Sequence, residues 1–366
     1  MSRKRSLWSF LFVGLLLFVL IFAGCADEPA EDPVDEPDEE VDEDVDEEEE
    51  AEPDEDLYEG DLLANSVWPE DNHQTRALYE LSERLQAATD GRVGFNIQSG
   101  GALGYTDPEL ITGVRDGIVP VSTIMASGAA GEEPLLDVTT LPFLLRDYDE
   151  ARLFYDTYKP YFNEILEDKW NQKLLLVSPW PGAGIWTQHP VESVDDMVGL
   201  ETRTYDRNGA LVMEAAGGTP HPLPFSEVYS SLATGVIDSV ITSTPTAVDA
   251  KFWEVLDYYT PMFMTLGMEM FVINMDEFNA MDSGTQETLL SVAAELEDDL
   301  WNNIAEIDRE NEQICVDNGI EVVEPPDQYF EDIAAVTSEI REEWLQEQAP
   351  PEAQQIVDEF NEKVGR

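Results

Sequence analysis

Twice along this chain of 366 residues the sequence alternates strand, helix, strand, helix, strand, and that alternation narrows the possible folds more than any other feature. In the first pass, Leu62–Val67 reads as a strand. Asn72 then caps a helix whose apolar positions are Ala77, Leu78, Leu81, Leu85 and Ala88. Gly91 stops that helix, Val93–Ile97 is the next strand, and a helix over Asp107–Arg115 leads to a strand over Val119–Met125. In the second pass, a strand over Leu200–Thr204 precedes a helix over Asn208–Ala216, which stops at Gly217-Gly218. Thr219–Leu223 is extended, Ser226 caps a helix that Gly235 ends, and Val236–Ile241 is the closing strand. Each pass implies a mostly parallel, doubly wound α/β sheet with its ligand rim at the carboxyl ends of the strands.

The segments between and after these units say how two such lobes are joined. A helix across 148–168 leads to a buried strand, Lys173–Ser178, and the run Pro179-Trp180-Pro181-Gly182-Ala183-Gly184 then breaks the pattern. Met268–Asn274 is a further strand, 284–316 is one long helix, and the rest is helical and acidic. The expected organisation is one lobe from 57–180 with 265–300 and a second from 181–264. Crossings fall near 179–182 and 262–268, and the helices of 284–366 span the lobes.

The ends of the chain carry a different kind of information. Arg3, Lys4 and Arg5 precede an apolar run from Leu7 to Phe22, followed by Ala23-Gly24-Cys25. Small residues before a lone cysteine read as a lipoprotein signal, cut after diacylglycerol joins Cys25; the apolar run is short for a membrane span of roughly 20 residues. Residues 26–56 hold 21 acidic residues and no basic one, as an extended, solvated tether would. The expected location is therefore extracytoplasmic, with a lipid anchor in the membrane.

Residues 57–366 contain 58 of the 79 acidic residues and 16 of the 19 basic ones, a deficit of 42 charges. Such a surface excludes nucleic-acid binding, which needs positive charge, and suits a protein working in concentrated salt. With Cys25 lipidated, Cys315 has no intrachain partner and reads as a small core residue. His73, His189 and His221 are too scattered to hold a metal, and neither a nucleophile elbow nor a phosphate loop is present. No cofactor and no catalytic residue is expected.

The stretch GLETR followed by AAGGTPHPLPFSEVYSSLATGVIDS resembles the signature region of DctP-type solute-binding proteins of tripartite ATP-independent periplasmic (TRAP) transporters. The resemblance runs from about Leu62 to the C-terminus and takes in Gly101–Gly104 and Leu141-Pro142-Phe143. It departs at Glu201, where the family has lysine, and at Ser239, where it has glycine. The resemblance implies a two-lobed periplasmic-binding-protein fold of the venus-flytrap type, with a long interlobe helix. It also implies a non-enzymatic receptor that captures a small organic acid and passes it to the small and large permease subunits. Many members carry a second arginine about twenty residues before the strand arginine, where this chain has Ala183 among Trp180, Ile185 and Trp186. That pattern resembles the branch taking small cyclic acids such as pyroglutamate and implies a single-carboxylate ligand. A sensory output, or a carboxylate-based secreted hydrolase, are the other readings.

Arg203 is the expected carboxylate partner, because only arginine offers a planar bidentate fork. Tyr205 on the same strand face is a candidate hydrogen-bond donor. Trp180 and Trp186 are candidate aromatic walls, each with a core role as the alternative, and Phe225 is a candidate cap on the pocket. Thr242 and Ser243 supply hydroxyls at a strand end, with Thr244 beside them. Met125 and Ser127 end a central strand, and Trp68 and His73 flank the first strand–helix turn. Asp206 and Asn208 are further candidates for ligand contact, with capping of the following helix as the alternative.

Overall fold

The computed structural model describes residues 57–366, so the signal segment, Cys25 and the acidic tether lie outside the described residues. The first lobe is built on β1 (Gly60–Asn65), α1 (His73–Ala88), β2 (Val93–Gln98), α2 (Asp107–Arg115), β3 (Val121–Met125) and α3 (Tyr148–Trp170). The chain leaves it along β4 (Gln172–Gly182) and enters the second lobe at β5 (Gly184–Thr187). There follow β6 (Glu201–Thr204), α4 (Arg207–Ala215), β7 (Thr219–Pro222), α5 (Phe225–Thr234), β8 (Ser239–Thr242), α6 (Thr244–Asp249) and β9 (Tyr258–Thr260). The return strand β10 (Leu266–Asn274) and α7 (Met275–Asn279) precede α8 (Ser283–Asp317), β11 (Glu321–Val322), α9 (Asp327–Glu347) and α10 (Pro351–Lys363). Among the described residues no helix is long and apolar enough to cross a membrane.

Two separate sheets result, ordered β2-β1-β3-β10-β4 and β11-β9-β5-β8-β6-β7. Within each β-α-β-α-β unit the pairing is parallel, as strands joined through a helical crossover allow. The expectation of mostly parallel sheets needs correcting where the crossing strands insert. β10 runs antiparallel to both β3 and β4, and β5 antiparallel to both β8 and β9. The second sheet also takes its last strand, β11, from beyond the long helix.

The crossing itself is a two-stranded ribbon. Ala183 N donates to Thr265 O at 2.9 Å, and Met264 N donates to Ala183 O at 3.0 Å. A side chain at Gly184 would put its Cβ 2.5 Å from Thr260 O, so only glycine lets the two passages lie this close. Pro179 and Pro181 do not break β4, contrary to the expectation from sequence. β4 is the edge of its sheet, where a missing N–H costs no ladder bond, and the β4–β10 register shifts between Leu266 and Met268 to accommodate them. Two other boundaries move. Pro224, not Ser226, is the N-cap of α5, because its extended backbone already turns the chain into the helix at Phe225. β8 begins at Ser239, since Val236–Asp238 is spent on the turn out of Gly235.

Helix α8 ties the structure together. Trp301 Nε1 donates to Val177 O in β4 at 3.2 Å, and Asp299 pairs with Arg84 of α1. Farther along, Asp308 accepts from Tyr148 Oη of α3 and Thr244 Oγ1 of α6, each at 2.7 Å. One carboxylate thus holds an element of each lobe. The C-terminal helices also divide: Tyr329 and Ile333 of α9 pack in the second-lobe core, Trp344 and Phe360 in that of the first.

Candidate functional site

The carboxyl ends of β1, β3, β6 and β8 meet the crossing ribbon around a small cavity of about 30 Å³. That is room for a water molecule or two, well below the roughly 300–1,000 Å³ of ligand sites, so an acid enters only if the lobes part further. The first lobe contributes Trp68, from the turn after β1, and Met125, the last residue of β3. Trp180, Pro181, Ala183 and Gly267 come from the crossing segments. The second lobe contributes Arg203, Tyr205, Thr242, Ser243 and Thr246. Polar side chains are therefore confined to the second lobe's wall.

Arg203 is the centre of the electrostatics. It sits on β6 between β7 and β8, 4% exposed, and is the one buried Lys or Arg among the described residues. Its Nε donates to Leu223 O at 3.0 Å, and no carboxylate of the described residues forms an ion pair with it. Burial lowers its pKa to about 10, which still leaves it charged at neutral pH. The attraction of the buried Asp206 offsets only part of that desolvation, and a buried cation without an ion-pair partner is costly until an anion arrives to pair with it. Tyr205 lies under the guanidinium, 5.9 Å from ring centroid to Cζ, and its hydroxyl hydrogen-bonds Thr265 Oγ1 at 2.6 Å.

Of the residues expected at the site, Arg203, Tyr205, Trp180, Thr242, Ser243, Met125 and Trp68 come together on this cavity. Three do not. Trp186 is fully buried in the second lobe, stacked on Tyr259 at 4.0 Å with its Nε1 donating to Thr242 O at 3.1 Å. It faces the core because the chain changes sheets at Ala183, which resets the alternation of faces between Trp180 and Trp186. His73 stands behind Trp180, edge-on at 4.6 Å, and burial drives its pKa down to about 3, so it is a neutral support. Phe225 misses the cavity wall but touches Trp68 from the opposite lobe, ring centroids 5.4 Å apart. Pro181, Ala183, Thr246 and Gly267 went unanticipated as lining residues; only the aromatic character of the Pro-Trp-Pro run pointed toward them.

A second contact between the lobes lies beside the cavity. Asp206 caps α4, accepting from Gly209 N at 2.8 Å, the alternative to ligand contact. Asn208, the other such candidate, instead reaches across: its Nδ2 donates to Asp137 O, Asp137 Oδ1 and Thr140 Oγ1 at 3.2–3.3 Å. Asp137 belongs to a 3-10 turn, Pro134–Thr140, of the first lobe. Burial, reinforced by the nearby Asp206 carboxylate and only partly offset by Arg207, pushes its pKa up to about 7. Between the ordinary carboxylate range and about pH 7, the folded protein keeps a proton here that the unfolded chain has lost. Stability contributed by this group therefore falls as pH rises through that window. Asp137→Asn, a neutral stand-in, is expected to melt above the parent at pH 8 and to lose that advantage near pH 4.5. Each pKa unit corresponds to about 1.4 kcal/mol. Melting curves of both proteins across pH check this; a difference independent of pH would refute it.

Two lobes meeting at a cavity that holds one buried cation without an ion-pair partner, with an extra helix spanning both, define a two-lobed solute-binding protein. The chain belongs to the bacterial extracellular solute-binding protein family 7 (DctP), whose profile matches residues 64–348. A solute-binding protein of Chromohalobacter salexigens is 28% identical over 200 residues, covering 53% of this chain and 58% of that one. This chain thus aligns with little more than half of that relative's length. Among solved structures, DctP7 of Bordetella pertussis, an extracytoplasmic solute receptor binding pyroglutamic acid, superposes with a TM-score of 0.79 at 26% identity. That match covers 82% of this chain and 99% of that one. A TRAP periplasmic solute-binding protein of Chromohalobacter salexigens with bound D-glucuronate shares the fold, with a TM-score of 0.76 at 22% identity over 82% and 99% of the two chains.

Proposed function

We propose that this protein captures a small monocarboxylic acid between its lobes and delivers it to a TRAP permease for secondary active uptake, tethered to the membrane through Cys25. The observation that carries the reading is Arg203, a buried guanidinium with no carboxylate in ion-pair contact, which faces a cavity shared by both lobes. A carboxylate can take its free N–H groups as a bidentate pair. An acid held between Arg203 on one lobe and Trp68 on the other favours the closed state, because only there are both contacts made. The single cation, with Ala183 where a second could have stood, supports one carboxylate rather than two. The cavity must widen to admit any acid, and its narrowness and aromatic walls suit a compact cyclic one; the similarity to a pyroglutamate receptor agrees with that.

A thermal-shift screen of carboxylic acids in concentrated salt tests the proposal. A binding acid at a hundredfold excess over its Kd should add about 2.7 kcal/mol of stability. Neutral amides of the same acids should add none. A screen in which the amides stabilise as well as the acids would remove Arg203 from the reading.

A further inference from the structure

Behind the two tryptophans that wall the cavity stands a carboxylate that the cavity does not touch. Glu269, on β10, is completely buried, and no basic side chain of the described residues pairs with it. Its neighbours in register are Met125 on β3 and Ser178 on β4. Oε1 accepts from Trp68 Nε1 at 3.2 Å and Oε2 from Trp180 Nε1 at 3.1 Å. The indoles are thereby held 4.6 Å apart, centroid to centroid, at 60°. Gly267, two residues earlier, leaves room for them: a Cβ there would lie 3.1 Å from Trp180 Cδ1 and 3.2 Å from Met125 Sδ. An uncompensated carboxylate in an apolar strand is costly, and a leucine or methionine would fill the same space without the desolvation. Burial, and after it the charge of Asp107, pushes the Glu269 carboxyl pKa upward, in line with that cost.

We propose that Glu269 is the positioning residue that sets what the cavity selects, by engaging both indole N–H groups on the side away from the ligand. With both donors taken, Trp68 and Trp180 offer a bound molecule ring surface and no hydrogen bond. Met125, Pro181, Ala183 and Gly267 add none from their side chains. Every polar side chain of the cavity then belongs to the second lobe: Arg203, Tyr205 and the hydroxyls of Thr242, Ser243 and Thr246. The ligand class that fits is an acid with one polar edge and one bare hydrocarbon face, the edge toward the second lobe and the face toward the first. An acid with hydroxyls all round would bury some of them against ring carbon without partners, weakening binding by about tenfold for each group.

The inference rests on the proposed capture of an acid in this cavity, and its test has one arm that needs no ligand. In Glu269→Leu, the indole protons of Trp68 and Trp180 should exchange with solvent at least about tenfold faster than in the parent, read by NMR. In the conservative Glu269→Gln, which keeps one acceptor, only one of the two should change that much. The second arm measures affinities for cyclopentanecarboxylate, L-pyroglutamate and D-glucuronate by calorimetry. The parent should prefer the two compact acids over glucuronate by about tenfold or more, and Glu269→Leu should narrow that ratio while Glu269→Gln largely restores it. Unchanged indole exchange in both variants overturns the positioning role. So does an unchanged preference in a folded Glu269→Leu protein, or a parent that favours glucuronate. A parent that binds none of the three acids, with the indole protons still released by substitution, would defeat the capture reading and leave the anchoring of the tryptophans standing.

Discussion

Arg203→Ala is expected to abolish measurable binding of carboxylic acids while the protein stays folded. In the closed cleft the acid's charge is out of water, and removing the guanidinium leaves it buried with no partner. Breaking such a pair by deleting one side typically costs about 3–5 kcal/mol, a loss of more than a hundredfold in affinity. Arg203→Lys should recover only part of this, because an ammonium cannot form two parallel hydrogen bonds in one plane. The ligand-free protein should respond in the opposite sense. Arg203 has no ion-pair partner among the described residues and the attraction of Asp206 only partly offsets its desolvation, so its burial is a standing cost, and Arg203→Met should melt at or above the parent temperature when no acid is present. Calorimetric titration for binding, with melting followed by circular dichroism, checks both halves. Near-parental affinity in a folded Arg203→Ala protein would remove the site from this cavity.

How far such a site can be read from sequence depends on what fixes each residue's direction. Arg203 was legible because a short strand within a β-α-β unit delivers its carboxyl end to the rim, and the motif around it fixes the register. Thr242 and Ser243 follow from the same rule at the end of β8. The tryptophans divide on a detail that the sequence does not display. Trp180 and Trp186 are six residues apart and would share a face on one continuous strand, but the passage between sheets at Ala183 separates them. His73 was misplaced for a related reason: the turn after β1 points Trp68 into the cleft and sets the first residue of α1 behind Trp180. Glu269 was missed although it carried a signal. It is the one charged residue in Leu266–Asn274, a strand buried at every position, and a lone acid in such a run must have partners. Asp137 had no comparable signal, because a 3-10 turn lacks a periodicity to follow and its neighbours Asp206 and Asn208 lie about seventy residues away in the chain.

Raising the salt concentration is expected to stabilise the folded protein strongly. The folded part of the chain carries the deficit of 42 charges already noted, and the ion pairs of the described residues engage only a minority of the acids. Helix α9 shows the pattern: Glu331, Asp332, Glu339, Glu342, Glu343 and Glu347 stand on one helix whose single basic residue is Arg341. Repulsion among such groups acts across several ångströms of water, so it weakens as the Debye length falls from about 10 Å at 0.1 M to about 3 Å at 1 M. The melting temperature should therefore climb most steeply over that interval and flatten beyond it. Sulfate would stabilise by exclusion from the surface even without repulsion, which makes sodium chloride the more telling salt. Replacing Glu339, Glu342 and Glu343 by glutamine removes three of the facing charges without adding a new attraction, and should raise the melting temperature at 0.1 M while reducing the slope against sodium chloride. If the parent melts at the same temperature from 0.1 to 2 M, the acidic surface is not what salt acts on, and the inference of a protein suited to concentrated salt falls with it.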